Sequence, residues 1–268
     1  MSKKYLLGVD GGTEGLRAGI FDVFGTPLAF ASTSYPTQFP APSWAEQDPN
    51  DWWDALGKSV RKAISDSGIS VDQIAAMAVD TTCCSVVPLD DSGNPVRPAL
   101  IWMDVRSAEQ AEQMVATEDD ALRINSNGSG PVSAEWMIPK ALWIKQNEPE
   151  NFDRAVTICE YQDYINLHLT GRLGASINNV STRWHCDYSR EGVPKSLLEK
   201  LDLGELAEKW PQDVFRLGEL VGGLTPRAAE HLGLTPDLPV VQGGADAQIG
   251  MIGLGVVKPG NLALITGS

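Results

Sequence analysis

The chain has 268 residues and a mass of 28.9 kDa, with 43% apolar residues, enough to bury one large core or two smaller ones. Its 35 acidic against 21 basic side chains give a formal charge of −14 with no interrupting basic patch, a balance that repels nucleic-acid backbones and acidic membranes. The longest apolar and glycine run, Ile249 to Val257, falls short of the roughly 20 residues that span a bilayer, so neither nucleic acid nor membrane is an expected partner.

Met1-Ser2-Lys3-Lys4 leads straight into a strand without a cleavage-site pattern, which predicts a cytoplasmic protein. Three strands then open the chain, at Tyr5 to Val9, Leu16 to Phe21 and about Leu28 to Ser34. A helix follows: Asp48 reads as its N-cap, Pro49 as its first residue, and Trp52, Leu56, Val60 and Ile64 recur every fourth position until Gly68. Next come a buried strand from Ile74 to Val79, a hairpin through Asp90-Asp91-Ser92-Gly93 and a strand from Ala99 to Met103. This order predicts an α/β fold of the ribonuclease-H-like, actin-like ATPase type, a mixed β-sheet flanked by helices.

Residues 107–116, 138–147 and 160–170 have helical spacing, whereas 171–194 are polar, β-leaning and poorly periodic, and read as a lid or insertion. Leu197 to Trp210 reads as a helix and Pro211 to Leu224 as loop with short strands. Pro239 to Gly244 is a strand meeting a glycine turn. Asp246 opens a segment, Ala247 to Gly255, that reads as a buried helix, and a strand from Asn261 to Ile265 precedes Thr266-Gly267-Ser268.

Cys83, Cys84, Cys159 and Cys186 lack C-x-x-C spacing, the vicinal pair does not readily close a relaxed disulfide, and all four read as small buried residues. His168, His185 and His231 show no zinc-site spacing, so any metal would be held by oxygen. The chemistry-bearing stretch is Gly8-Val9-Asp10-Gly11-Gly12-Thr13, a strand ending in a carboxylate at a glycine turn. Its two readings are an ordinary tight hairpin and a phosphate-binding hairpin, with Asp10 holding hydrated Mg2+ and the Gly11, Gly12 and Thr13 amides facing phosphate. Neither G-x-G-x-x-G nor G-x-x-x-x-G-K-[ST] is present.

That hairpin with Arg17, the loop Trp44-Ala45-Glu46-Gln47-Asp48-Pro49, Trp102-Met103-Asp104-Val105-Arg106, Gly243-Gly244-Ala245-Asp246-Ala247 and Thr266-Gly267-Ser268 resemble, in order and separation, the FGGY family of carbohydrate kinases. The resemblance implies two actin-like domains with sugar and ATP meeting between them. Residues 1–258 would be the first, sugar-binding domain, and 259–268 the first strand of the ATP-binding one. It implies Asp246 as catalytic base, Asp10 and Asp246 as Mg2+ ligands, and Gly11, Gly12, Thr13, Arg17, Thr266, Gly267 and Ser268 as ATP contacts. On position alone Asp246 reads as an N-cap carboxylate. It also implies sugar and ATP as small-molecule partners and leaves room for a homodimer.

Asp80-Thr81-Thr82-Cys83-Cys84-Ser85 stands where glycerol kinases carry Arg-Glu and xylulokinases Met-His-Gly. With Ser133 to Lys140 and Arg183-Trp184, it is more similar to the ribulokinase branch. The sugar pocket implied is Asp80, Thr82, Cys83, Trp102, Asp104, Arg106, Glu135 and Trp136, together with Asp246. Trp102 and Trp136 read equally as core packing. The alternatives are a sugar-binding domain without catalysis and a kinase for another ketose or polyol.

Overall fold

The computed structural model describes residues 4–125, 131–190 and 192–264. β1 (Tyr5–Gly11), β2 (Gly15–Asp22) and β3 (Pro27–Ser34) form an antiparallel meander. After the two-residue β4 (Glu46–Gln47), α1 (Pro49–Ser67) begins where the sequence predicts. The Asp48 carboxylate accepts from Asn50 N at 2.9 Å, and Gly68 ends the helix at φ 68°. Trp52, Leu56, Val60 and Ala63, one turn apart, are buried where α1 packs on β2 and β3.

β5 (Ile74–Thr81) then runs parallel to β1. β6 (Val86–Leu89), β7 (Ala99–Leu100), α2 (Ala108–Ala116), α3 (Met137–Asn147), α4 (Pro149–Arg154), β8 (Thr157–Glu160) and α5 (Tyr161–Thr170) follow. The chain continues through β9 (Ala175–Ser176), α6 (Ile177–Arg183), α7 (Lys195–Lys200), α8 (Leu206–Lys209), β10 (Val214–Phe215) and β11 (Leu220–Gly223). α9 (Pro226–Leu232), β12 (Pro239–Ala245) and α10 (Asp246–Gly253) complete it. The main sheet has the order β11-β12-β5-β1-β2-β3 and is mixed, with β12, β5 and β1 parallel at its centre. A four-stranded sheet, β4-β7-β6-β8, lies beside it.

Two cores result. One joins the main sheet to α1, α5 and α9 through Leu7, Val9, Leu56, Val79 and Tyr161; the other gathers Ile138, Trp143, Phe152, Trp184 and Trp210. Strand alternation fixes the rest: with Leu7 and Val9 turned into the core, Asp10 projects from the opposite face.

Several sequence expectations need correction. The strand predicted for Ala99 to Met103 stops at Leu100, because Ile101 N donates to Ala45 O at 3.1 Å and its carbonyl accepts from Lys140 Nζ at 2.7 Å. Residues 171–194 are no mere insertion: α6 packs against β12, its seven residues too short for a periodic signal. The helix predicted from Leu197 to Trp210 is two, α7 and α8, broken where Asp202 takes φ 50°. α10 forms as expected but buries none of its residues, since nothing described covers its outer side; Ile252 is 52% exposed. Asn261 to Leu264 lie outside any strand, and Ile265, Thr266, Gly267 and Ser268 fall outside the described residues.

Candidate active site

Register assembles the site. Asp10 on β1 pairs with Arg17 on β2 and, on its other side, with Asp80 on β5. Arg17 Nη1 meets Asp10 Oδ2 at 2.5 Å. On β12 the register with β5 slips between Gln242 and Ala245, so Gly243 and Gly244 bulge opposite Asp80. The bulge permits only glycine at 243, where a Cβ would sit 2.1 Å from Val79 O. It is tied down by Ser176 Oγ to Gly243 O at 2.9 Å and by Ala245 N to Asn178 Oδ1 at 2.9 Å. The chain leaves it straight into α10, with Asp246 first.

Asp10, Asp80, Asp246 and Arg17 therefore line one cavity of about 650 Å³ with the glycine turn. Three carboxylates face one guanidinium, and the imbalance is felt. Burial, then the charges of Asp10 and Asp246, push the Asp80 carboxyl up to about 8. Burial also raises Asp246, overriding the Ala247 amide that favours its charged form.

The turn itself is rigid. Gly12 N donates to Gly15 O at 3.0 Å, Thr82 N to Gly11 O at 2.9 Å, and Tyr35 Oη to Gly12 O at 2.5 Å. Gly11 admits no Cβ, which would lie 2.8 Å from the Tyr161 ring. The Gly12 amide is thus used in closing the turn rather than free to meet phosphate, a correction to the sequence reading. Thr13 is gripped by Gln47 Nε2 on its carbonyl at 2.7 Å and by Trp102 Nε1 on its hydroxyl at 2.9 Å. That hydroxyl accepts from Trp102 and so keeps its own proton for an incoming oxygen.

A second cavity, about 270 Å³, is lined by Thr13, Thr82, Cys83, Cys84, Trp102, Glu135, Arg183 and Asp246. Thr13 and Asp246 border both cavities. Of the sequence-derived pocket residues, Thr82, Cys83, Trp102, Glu135 and Asp246 line this cavity. Asp80 lies in the larger one instead, because its strand position pairs it with Asp10.

Asp104 and Arg106 are elsewhere: both side chains are fully buried and joined at 2.7 Å, with Arg106 also 2.8 Å from Glu46 and stacked 3.7 Å from the Trp44 ring centroid. They bolt the loop after Trp102 to the loop before α1 and offer no surface to a ligand. Trp136 does not line the cavity either; its ring carries the Arg183 guanidinium, 5.4 Å from the centroid, and meets His185.

Arg183 and Cys84 were absent from the sequence-derived site. Arg183 ends α6, the helix that the sequence did not reveal, although Arg183-Trp184 stood among the residues carrying the resemblance. Cys84 takes φ 65°, a left-handed backbone rare for a side chain. Its amide donates to Glu160 Oε2 at 2.9 Å and its carbonyl accepts from Lys140 Nζ at 2.8 Å. Both charges are completely buried. Burial lowers Lys140 to about 8, against the pull of nearby carboxylates, and raises Glu160, against the Trp184 indole that donates to it at 2.6 Å.

A hard cation fits the carboxylate wall. Its donors are all oxygens, and Asp10, Asp80 and Asp246 outnumber the single Arg17 guanidinium in that cavity. Among the described residues no group of three or more His, Cys, Asp or Glu encloses an ion by itself. Mg2+ itself needs only one or two protein carboxylates and fills the rest of its shell with water and phosphate. Also among the described residues, no helix is long and apolar enough to cross a membrane.

Residues 5–253 match the family described as "FGGY family of carbohydrate kinases, N-terminal domain". The chain is 30% identical to the ribulokinase of Shouchella clausii (strain KSM-K16) over 99% of its own length and 52% of that protein's. It is 27% identical to the xylulose kinase of Escherichia coli (strain K12), over 98% of its length and 52% of the relative's. Among solved structures, the xylulose kinase of Rhodospirillum rubrum superposes with a TM-score of 0.86 at 27% identity, covering 96% of this chain and 52% of that one. The chain thus spans about half the length of the relatives it matches, and shares the actin-like ATPase fold of such kinases. It belongs to the FGGY family of carbohydrate kinases, as an N-terminal domain.

Proposed function

We propose that this chain is the sugar-binding half of an ATP-dependent carbohydrate kinase that phosphorylates a hydroxyl of a ketopentose of the ribulose class. The observation that carries this reading is the sharing of Thr13 and Asp246 by two cavities. A hydroxyl in the smaller one and a phosphate on the glycine turn in the larger one meet at a single carboxylate. Asp246 accepts the hydroxyl proton; its raised pKa brings it nearer working pH, where a general base is most effective. Arg17 and the Thr13 hydroxyl receive phosphate oxygens. Asp10 and Asp246 would hold Mg2+, which when bound would neutralise charge on the transferring group.

In the smaller cavity Trp102 presents its ring to sugar C–H groups, Glu135 accepts hydroxyl hydrogen bonds and Arg183 donates them. Thr82 and Cys83 shape the floor. Asp104 and Arg106 act only by fixing the loop that carries Trp102. Residues 1–258 form the sugar domain, and 259–268, with Thr266, Gly267 and Ser268, begin a second domain that grips the nucleotide. The exposed apolar side chains of Ile252, Leu254, Val257, Leu262 and Leu264 support a covering partner there.

ADP release by the full-length protein with ribulose, xylulose and glycerol tests the assignment. Turnover is expected to be fastest with ribulose. Faster turnover with glycerol overturns the ketopentose class, and calorimetric sugar binding without turnover favours the non-catalytic alternative.

A further inference from the structure

Cys83 and Cys84 both line the smaller cavity, and their sulfurs stand 3.7 Å apart. One atom bonded to both at about 2.3 Å, a typical zinc–thiolate length, would subtend an angle of about 107° at that separation. The pair is therefore spaced for a bridging atom without rearrangement.

The backbone keeps it so. Cys84 is held at φ 65° by Glu160 on its amide and Lys140 on its carbonyl, both fully buried. The Cys84 thiol donates to the Cys83 sulfur, which holds the Cys83 thiol below its ordinary value, with Arg183 assisting. Cys159 and Cys186 are buried elsewhere, their thiols on the carbonyls of Val87 and Trp184.

The chemistry of the occupant follows from the donor count. Zinc asks for four ligands, and among the described residues no group of three or more His, Cys, Asp or Glu could hold a metal ion. A soft three-coordinate centre that already carries one carbon needs only two sulfurs. We propose that Cys83 and Cys84 form a chelating dithiol site for monosubstituted trivalent arsenicals within the cavity that Trp102 and Asp246 also line. Two As–S bonds form, the arsenic–oxygen bonds break, and the two thiol protons leave on that oxygen as water; neither arsenic nor sulfur changes oxidation state. That the adduct would fill the sugar cavity rests on the proposed function; the dithiol site does not.

The test is titration of the native chain with phenylarsine oxide, followed by intact mass and peptide mapping. One arsenic per chain is expected, mapped to Cys83 and Cys84, with two thiols lost and release by 2,3-dimercaptopropanol but not by a monothiol. Cys83→Ser and Cys84→Gly, the latter suited to the left-handed backbone, should each weaken binding by about 100-fold or more, the loss of a chelate's effective concentration. Circular dichroism checks their folding, and Cys83→Ser, at the less buried position, carries the test if Cys84→Gly unfolds. Alanine at both Cys159 and Cys186 should leave the adduct unchanged. The proposal fails if the native chain gives no dithiol-reversible adduct, if the adduct survives Cys83→Ser at native strength, or if it maps to Cys159 or Cys186.

Discussion

Two regions of this molecule are built from the same residue types and behave oppositely. In the carboxylate wall, Asp10, Asp80 and Asp246 face Arg17, which is 63% exposed, and burial together with the excess negative charge pushes the Asp80 carboxyl far above its ordinary value. In the frame behind Trp102, Asp104 and Glu46 are matched by Arg106 and Arg97, all nearly inaccessible, with Glu148 closing the far side at 2.8 Å. The Lys140 and Glu160 pair at Cys84 belongs to this second kind. Buried charge with every member paired fixes loops; charge left unpaired at a cavity attracts something to complete it.

Breaking the contrast should therefore cost different things in different places. The largest effect belongs to catalysis: Asp246→Asn should lower turnover of the full-length protein by about 10²- to 10⁴-fold, the range of a lost general base. Calorimetry should find sugar binding retained. Asp104→Ala should leave the buried Arg106 with Glu46 alone and the Ala45 amide without its acceptor, and destabilise the chain by about 3 kcal/mol or more, read as a lower urea midpoint. Arg17→Ala should change stability by less than about 0.5 kcal/mol, since its ion pair with Asp10 is exposed. Its cost should instead be a higher KM for ATP.

Much of this contrast was hidden in the sequence. Asp10, Arg17, Asp104 and Arg106 all read there as ligand contacts, the first two toward Mg2+ and ATP and the last two toward sugar. Only burial separates them, and burial depends on which loops pack over Trp44 and Trp143. The hairpin, α1 and the strand leading to Asp246 were legible because caps, glycines and four-residue periodicity are local signals. α6 was not, because seven residues carry too little periodicity, and Arg183 was missed with it. Asp80 was read as a sugar contact because its partner across the sheet is set by register, which no local pattern reveals. The exposure of α10 was invisible for the related reason that small apolar residues look the same whether covered or awaiting cover.

The central claim is that the wall holds carboxylates that are both buried and short of positive charge, and Asp80 reports the two together most directly. Its ordinary value is 3.8 and its folded value about 8, so between these the unfolded chain releases a proton that the folded chain keeps. Asp80 should thus cost nothing near pH 4, cost progressively more as pH rises, and reach its full penalty above about pH 8. Urea denaturation of the parent and Asp80→Asn across this interval measures it. The account predicts nearly equal stability near pH 4 and a variant more stable by on the order of 5 kcal/mol near pH 8, a rise of about 4 units at about 1.4 kcal/mol each. Parallel curves, or a variant less stable at the alkaline end, would contradict it.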